Sequence, residues 1–149
     1  MLTTMNQFMA CLVLAVALAG GCSREVELPS PQCEERDVQW VCSDEADLRS
    51  LDLHAAQLSF AELEGANLQG VNLEDARLDN ANLSHANLEG ANLSNARLDK
   101  ANLSYANLAG ADLSWADLTG ADLSYTNLEG TVLDDAKMRN ADLTGSTGR

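Results

Sequence analysis

The residues of this chain able to do chemistry are few, and their spacing decides what is open to them. Two histidines, His54 and His85, are candidate bases, serines recur at Ser84, Ser104 and Ser124, and cysteines stand at positions 11, 22, 33 and 42. A nucleophile needs a base held beside it, and a reaction site needs unlike groups converging in a concave place. Here like groups recur at multiples of five, which sets copies in columns, and the two histidines fall in different registers. No glycine-rich phosphate loop, zinc-ligand spacing or calcium-loop pattern occurs. The pattern predicts no catalytic residue, no metal and no cofactor, and so a protein that is not an enzyme.

The columns follow from a repeat. From Leu48 to Leu143 every fifth residue is leucine except Met138, twenty positions in all, and two residues before each stands alanine, apart from Leu51, Val71, Thr126 and Thr131. In an α-helix, five residues advance the leucine by about 140° and scatter it around the cylinder. In a straight strand an odd spacing sends successive leucines to opposite faces. Neither gives a dry side. Alanine and leucine two apart do share one face of a short extended segment, with Asn or Asp between them pointing out. A corner within the next two residues returns the following pair to the same interior, so the chain winds as a coil around a narrow core.

A second period counts the sides of that coil. Gly70, Gly90, Gly110 and Gly130 recur every twenty residues, as do His85, Tyr105 and Tyr125, and ARLD at 76–79 returns at 96–99. Twenty residues per turn and one corner per five mean four sides and five coils. At about 4.8 Å per coil the rod is roughly 24 Å long. Only 4% of the residues are aromatic, yet 46% are hydrophobic, which suits a core built of leucine and alanine rather than a disordered tail.

The A(N/D)Lxx units, as in ANLEG, ADLTG and ADLSY, resemble the pentapeptide-repeat family over residues 46–145. The resemblance implies an all-β fold, a right-handed quadrilateral parallel β-helix. It also implies pairing of two copies end to end. The C-terminal residues, TGSTGR at 144–149, contain no apolar side chain, so a homodimer through the last coil is expected, with 146–149 as a tail.

The N-terminus reads differently. Residues 8–19, FMACLVLAVALA, are too short an apolar run to cross a membrane as a helix, and they end in small residues as an export signal does. The stretch Leu18 to Cys22 resembles the lipobox of bacterial lipoproteins, which implies that residues 1–21 are a signal peptide and that Cys22 carries lipid. Residues 22–32 hold both prolines and read as a tether. Ser23 after the lipid site implies the outer membrane. Outside the cytosol, Cys33 and Cys42 are expected to pair as a disulfide closing a cap over 33–45, with metal binding by the two thiolates as the rival.

The surface columns remain. Asn67, Asn87, Asn107 and Asn127 should stack as an amide ladder. Arg77 and Arg97 alternate with Asp79 and Asp99, and Lys137 and Arg139 continue that face while Asp117 interrupts it. His85, Tyr105 and Tyr125 make a candidate interaction surface, or a stack that only stiffens its corner. The expected function is a membrane-tethered, non-catalytic interaction or structural module of the cell envelope, partnered by an unknown envelope protein and no nucleic acid. The alternative comes from the resemblance, since some acidic members imitate DNA and bind type II topoisomerases. The repeat region has 16 acidic against 6 basic residues, a net of −10, where DNA of that length carries about 14 charges. That reading requires that the N-terminus not direct export.

Overall fold

A computed structural model describes residues 33–36, 39–42, 48–49 and 51–148. The signal peptide, Cys22 and the tether lie outside these residues, as does most of the expected cap. What is described of that segment is a hairpin backbone. Strands β1 (Cys33–Arg36) and β2 (Gln39–Cys42) pair antiparallel, with Cys33 opposite Cys42 and Arg36 opposite Gln39.

From Asp52 onward the chain is a four-sided parallel coil. Residues twenty apart pair on each side, as in Asp52 with Asn72, Gln57 with Arg77, Glu62 with Asn82 and Asn67 with Asn87. Each side contributes one paired residue per coil. The Leu58 N–H donates to the Arg77 carbonyl at 2.7 Å, and the Arg77 N–H donates back to the Ala56 carbonyl at 2.8 Å. The last such pair joins Asn127 to Thr147, so pairing continues past residue 145.

The corners are tight turns. The Ala56 N–H donates to the Leu53 carbonyl at 3.0 Å, and the same bond recurs at successive corners. The third residue of every turn from Ala55 to Gly145 has φ between 55° and 71°, the geometry of a type II turn. This left-handed backbone explains the glycine, asparagine and aspartate found two places after so many leucines. The corners also pair between coils, as where the Tyr105 N–H donates to the Ser124 carbonyl at 3.0 Å.

Between its neighbours the Asn or Asp in the middle of each side caps the turn that follows. Its Oδ1 accepts the N–H two residues on, at 3.2 Å from Ser84 to Asn82 and 3.0 Å from Ser104 to Asn102. A short polar side chain that bonds its own backbone in this way favours turning. The sequence pattern assigned these residues only an outward direction. Their acceptor geometry is what ties corner to side.

Leucine and alanine fill the interior. Leu93 and Leu113, one coil apart, are both fully buried, as is every leucine from Leu68 to Leu123. Thr126 stands in an alanine position with no exposed surface, and its hydroxyl donates to the Leu103 carbonyl at 2.8 Å. Thr131 bonds the Leu108 carbonyl in the same way. An inward hydroxyl is tolerated where it finds an acceptor. The two ends of the bore differ. Leu53, Leu58 and Leu63 in the first coil are 2–3% exposed, whereas Leu133, Ala136, Met138 and Ala141 in the last coil are partly exposed.

Candidate interaction surface

Polar side chains on the rod are largely engaged by their own neighbours. The Ser84 hydroxyl donates to Asn82 Oδ1 at 2.8 Å, and the Ser94 and Ser104 hydroxyls donate to Asn92 and Asn102 at 2.7 Å. These serines face amides, and no base stands beside them. His54 and His85 lie on different corners, as their registers require. Among the described residues no group of His, Cys, Asp and Glu is arranged to hold a metal ion.

The amide ladder forms on more than the expected side. Asn127 Nδ2 donates to Asn107 Oδ1 at 3.0 Å and Asn107 to Asn87 at 3.3 Å. Equivalent bonds join Asn92 to Asn72 and Asn102 to Asn82, both at 3.3 Å. Bonds that repeat along three sides belong to the architecture of the rod.

On the basic side, Asp79 Oδ1 lies 3.6 Å from Arg77 Nε and 3.9 Å from Arg97 Nε, and Asp99 lies 3.4 Å from Arg97 Nη2. Lys137 differs from expectation. Its Nζ is 3.3 Å from Asp117 Oδ2, one coil below, so Asp117 does not interrupt the basic column but pairs with it. The register of twenty residues, not neighbourhood in sequence, brings them together. Such half-exposed pairs contribute little stability.

Three capping aspartates, Asp112, Asp117 and Asp142, are held below the usual carboxylate range by the donors that follow them. The Ser114 side chain and its backbone N–H hold the Asp112 carboxyl below the usual carboxylate range. Thr144 does the same to Asp142. A bond that favours the charged form lowers the pKa.

The aromatic corner stands apart from this self-satisfied surface. The rings of His85 and Tyr105 stack with centroids 5.0 Å apart at 6°, and those of Tyr105 and Tyr125 at 5.0 Å and 8°. Tyr105 and Tyr125 remain 54% and 55% exposed. Beyond Tyr125 comes Gly145, where a Cβ would lie 2.7 Å from the tyrosine ring. The ladder therefore ends on a glycine over which the last ring lies. All three ladder residues occupy left-handed corners, with φ of 57° to 60°.

Stacking and backbone strain oppose one another at this corner. Two ring contacts contribute about 1 to 3 kcal/mol together. Three side chains held at positive φ cost about 1 to 2 kcal/mol each relative to glycine. Stacking at best offsets the strain, and the neighbouring corner shows the cheaper solution in Gly70, Gly90, Gly110 and Gly130. Phe60 and Trp115 share the corner position on other columns, at 56% and 62% exposure. The sequence reading missed both, although their register, two places after a leucine, is that of the tyrosines.

Profiles of the family described as pentapeptide repeats match residues 44–75, 76–114 and 111–147, with eight copies. Among solved structures the chain is similar to HetL, a pentapeptide repeat protein involved in heterocyst differentiation regulation from the cyanobacterium Nostoc sp. strain PCC 7120. The identity is 37%, over 73% of this chain and 60% of HetL, with a TM-score of 0.53. It is also similar to Rfr23, a pentapeptide repeat protein from the cyanobacterium Cyanothece 51142, at 39% identity over 63% of this chain and 65% of Rfr23, with a TM-score of 0.48. The chain thus spans less than two thirds of either relative. No curated protein sequence matches it.

Proposed function

The chain belongs to the pentapeptide-repeat family, whose right-handed quadrilateral parallel β-helix its coils adopt, and from that premise we propose that it is a non-catalytic interaction module held at the cell envelope by lipid on Cys22. The observation that carries the interaction reading is the exposed stack of His85, Tyr105 and Tyr125. Exposed aromatics kept at strained corners suit a contact surface. The serines and most of the asparagines of the convex sides are bonded to their own repeat, and like groups set in columns on convex sides do not build a reaction site.

The tether rests on the apolar run at 8–19 and the residues Leu18 to Cys22, and on Ser23 for the outer membrane. The hairpin register supports a disulfide between Cys33 and Cys42, because directly opposed residues on antiparallel strands have Cα atoms about 4.5 to 5.5 Å apart. That lies within the range a disulfide spans. The half-exposed inner residues of the last coil support a homodimer through that end, and light scattering at micromolar concentration tests it, with a monomer as the refuting result. A net-acidic rod repels phosphate, so nucleic acid is no partner.

Fractionation of cells carrying the wild type and Cys22→Ala tests the whole reading. The wild type is expected in the outer membrane and the variant off it. Wild-type protein in the cytosol overturns the proposal in favour of an acidic rod that binds a type II topoisomerase.

A further inference from the structure

The coil divides its charge between two halves. The sides that flank the aromatic corner comprise residues 61–69, 81–89, 101–109, 121–129 and 141–147, and they contain no lysine or arginine. They carry Glu62, Glu64, Glu89, Asp122, Glu129 and Asp142. All five cations between residues 51 and 148 lie on the rest of the coil, Arg77, Arg97, Lys100, Lys137 and Arg139, among nine carboxylates that include their partners Asp79, Asp99 and Asp117. The ladder is thus an apolar ridge bordered on both sides by carboxylates and amides, with one cation on that half, Arg49, in register with Glu89 two coils below it.

The form of the ridge narrows what it can bind. Tyr105 has a ring against each face at 5.0 Å, and Tyr125 has Tyr105 on one face and Gly145 against the other, so no full tyrosine face is open to a sugar ring or to an ammonium ion. The tyrosines present ring edges and phenolic hydroxyls. Long basic side chains fit that combination, because an aliphatic stem packs on apolar surface while its charged tip reaches for water or a carboxylate. On the reading of the coil as an interaction module, we infer that its ligand is a basic, extended polypeptide segment lying along the His85, Tyr105, Tyr125 ridge. The stems of its lysines and arginines cover the tyrosine edges, and their tips pair with the flanking glutamates. The acidic field of the rod draws the segment in, and the carboxylates of these lysine- and arginine-free stretches hold it on this half.

A labelled twelve-residue peptide alternating arginine and serine, titrated into the full chain at low salt, tests this. The peptide is expected to bind and to weaken as salt rises, and its glutamate counterpart is expected not to bind. Glu89→Gln with Glu129→Gln should weaken binding about fivefold. Glu74→Gln with Asp134→Asn removes as much charge from the other half and should change it less than about twofold. Tyr105→Asn with Tyr125→Asn should weaken it about tenfold with the circular dichroism unchanged. Equal weakening by the two neutralised pairs means that net charge alone attracts the peptide, and overturns the inference, as does failure of the arginine peptide to bind. Fractionation judges the envelope reading and the titration judges this one, so each can fail alone.

Discussion

Replacing leucine by alanine at two heights in the bore separates a stacked core from a frayed end. Leu103 sits in the third coil with Leu83 and Leu123 in line one coil on either side, all without exposed surface. Removing its outer carbons forfeits about 2.4 kcal/mol of transfer energy at about 0.8 kcal/mol per group. The wall cannot collapse into the gap, because Asn102 is paired to Asn82 on one side and Asp122 on the other. A cavity term then raises the cost to about 4 kcal/mol. Leu133 has the buried Leu113 on one side only and is itself partly exposed. Its gap opens to water, and Leu133→Ala should cost about 1 kcal/mol. Urea unfolding followed by far-ultraviolet circular dichroism measures both, with equal m-values showing that the same surface is exposed on unfolding. Equal losses at the two positions would refute the stacked-bore account. A Leu133→Ala loss that grows with protein concentration would mean that a second copy covers the end.

Three further outcomes follow from the corners. Gly110→Ala meets nothing within 4 Å and should cost about 1 kcal/mol, the left-handed penalty alone, whereas Gly145→Ala drives a methyl into the Tyr125 ring and should cost more and disperse the tyrosine ring signals in NMR spectra. Tyr105→Asn with Tyr125→Asn should leave stability within about 1 kcal/mol of wild type, since asparagine tolerates φ near 60°; thermal melting checks this, and unfolding would return the ladder to a structural role. Because Asp112 and Asp142 have lowered pKa values in the folded chain, their contribution is complete above the unfolded carboxylate range near about pH 4 and disappears as pH falls through the folded values. Ser114→Ala should flatten that acid limb in a series of urea melts.

The sequence by itself determined the period, and the period determined the fold. Leucine every fifth residue excludes a helix and a straight strand on geometry alone, and the twenty-residue recurrence of glycines and tyrosines counts four sides. That much is local, since each five-residue unit must bury its own Ala and Leu, and burial is legible in residue type. The columns of Asn, Arg and Tyr follow from the same count.

What the tertiary structure decided concerns backbone sign and vertical neighbours. The glycines, asparagines and aspartates two places after many leucines hint at a left-handed corner, but a tyrosine there does not, so the strain on Tyr105 appears only with φ. The capping of turns by Asn82 and Asp112 depends on where Oδ1 lands, which the outward direction of the side chain does not specify. Lys137 and Asp117 are twenty residues apart, and only stacking brings them to 3.3 Å. The segregation of every cation between residues 51 and 148 from the aromatic half likewise arises by folding a line into a square, because charge is read along a sequence but felt across a surface.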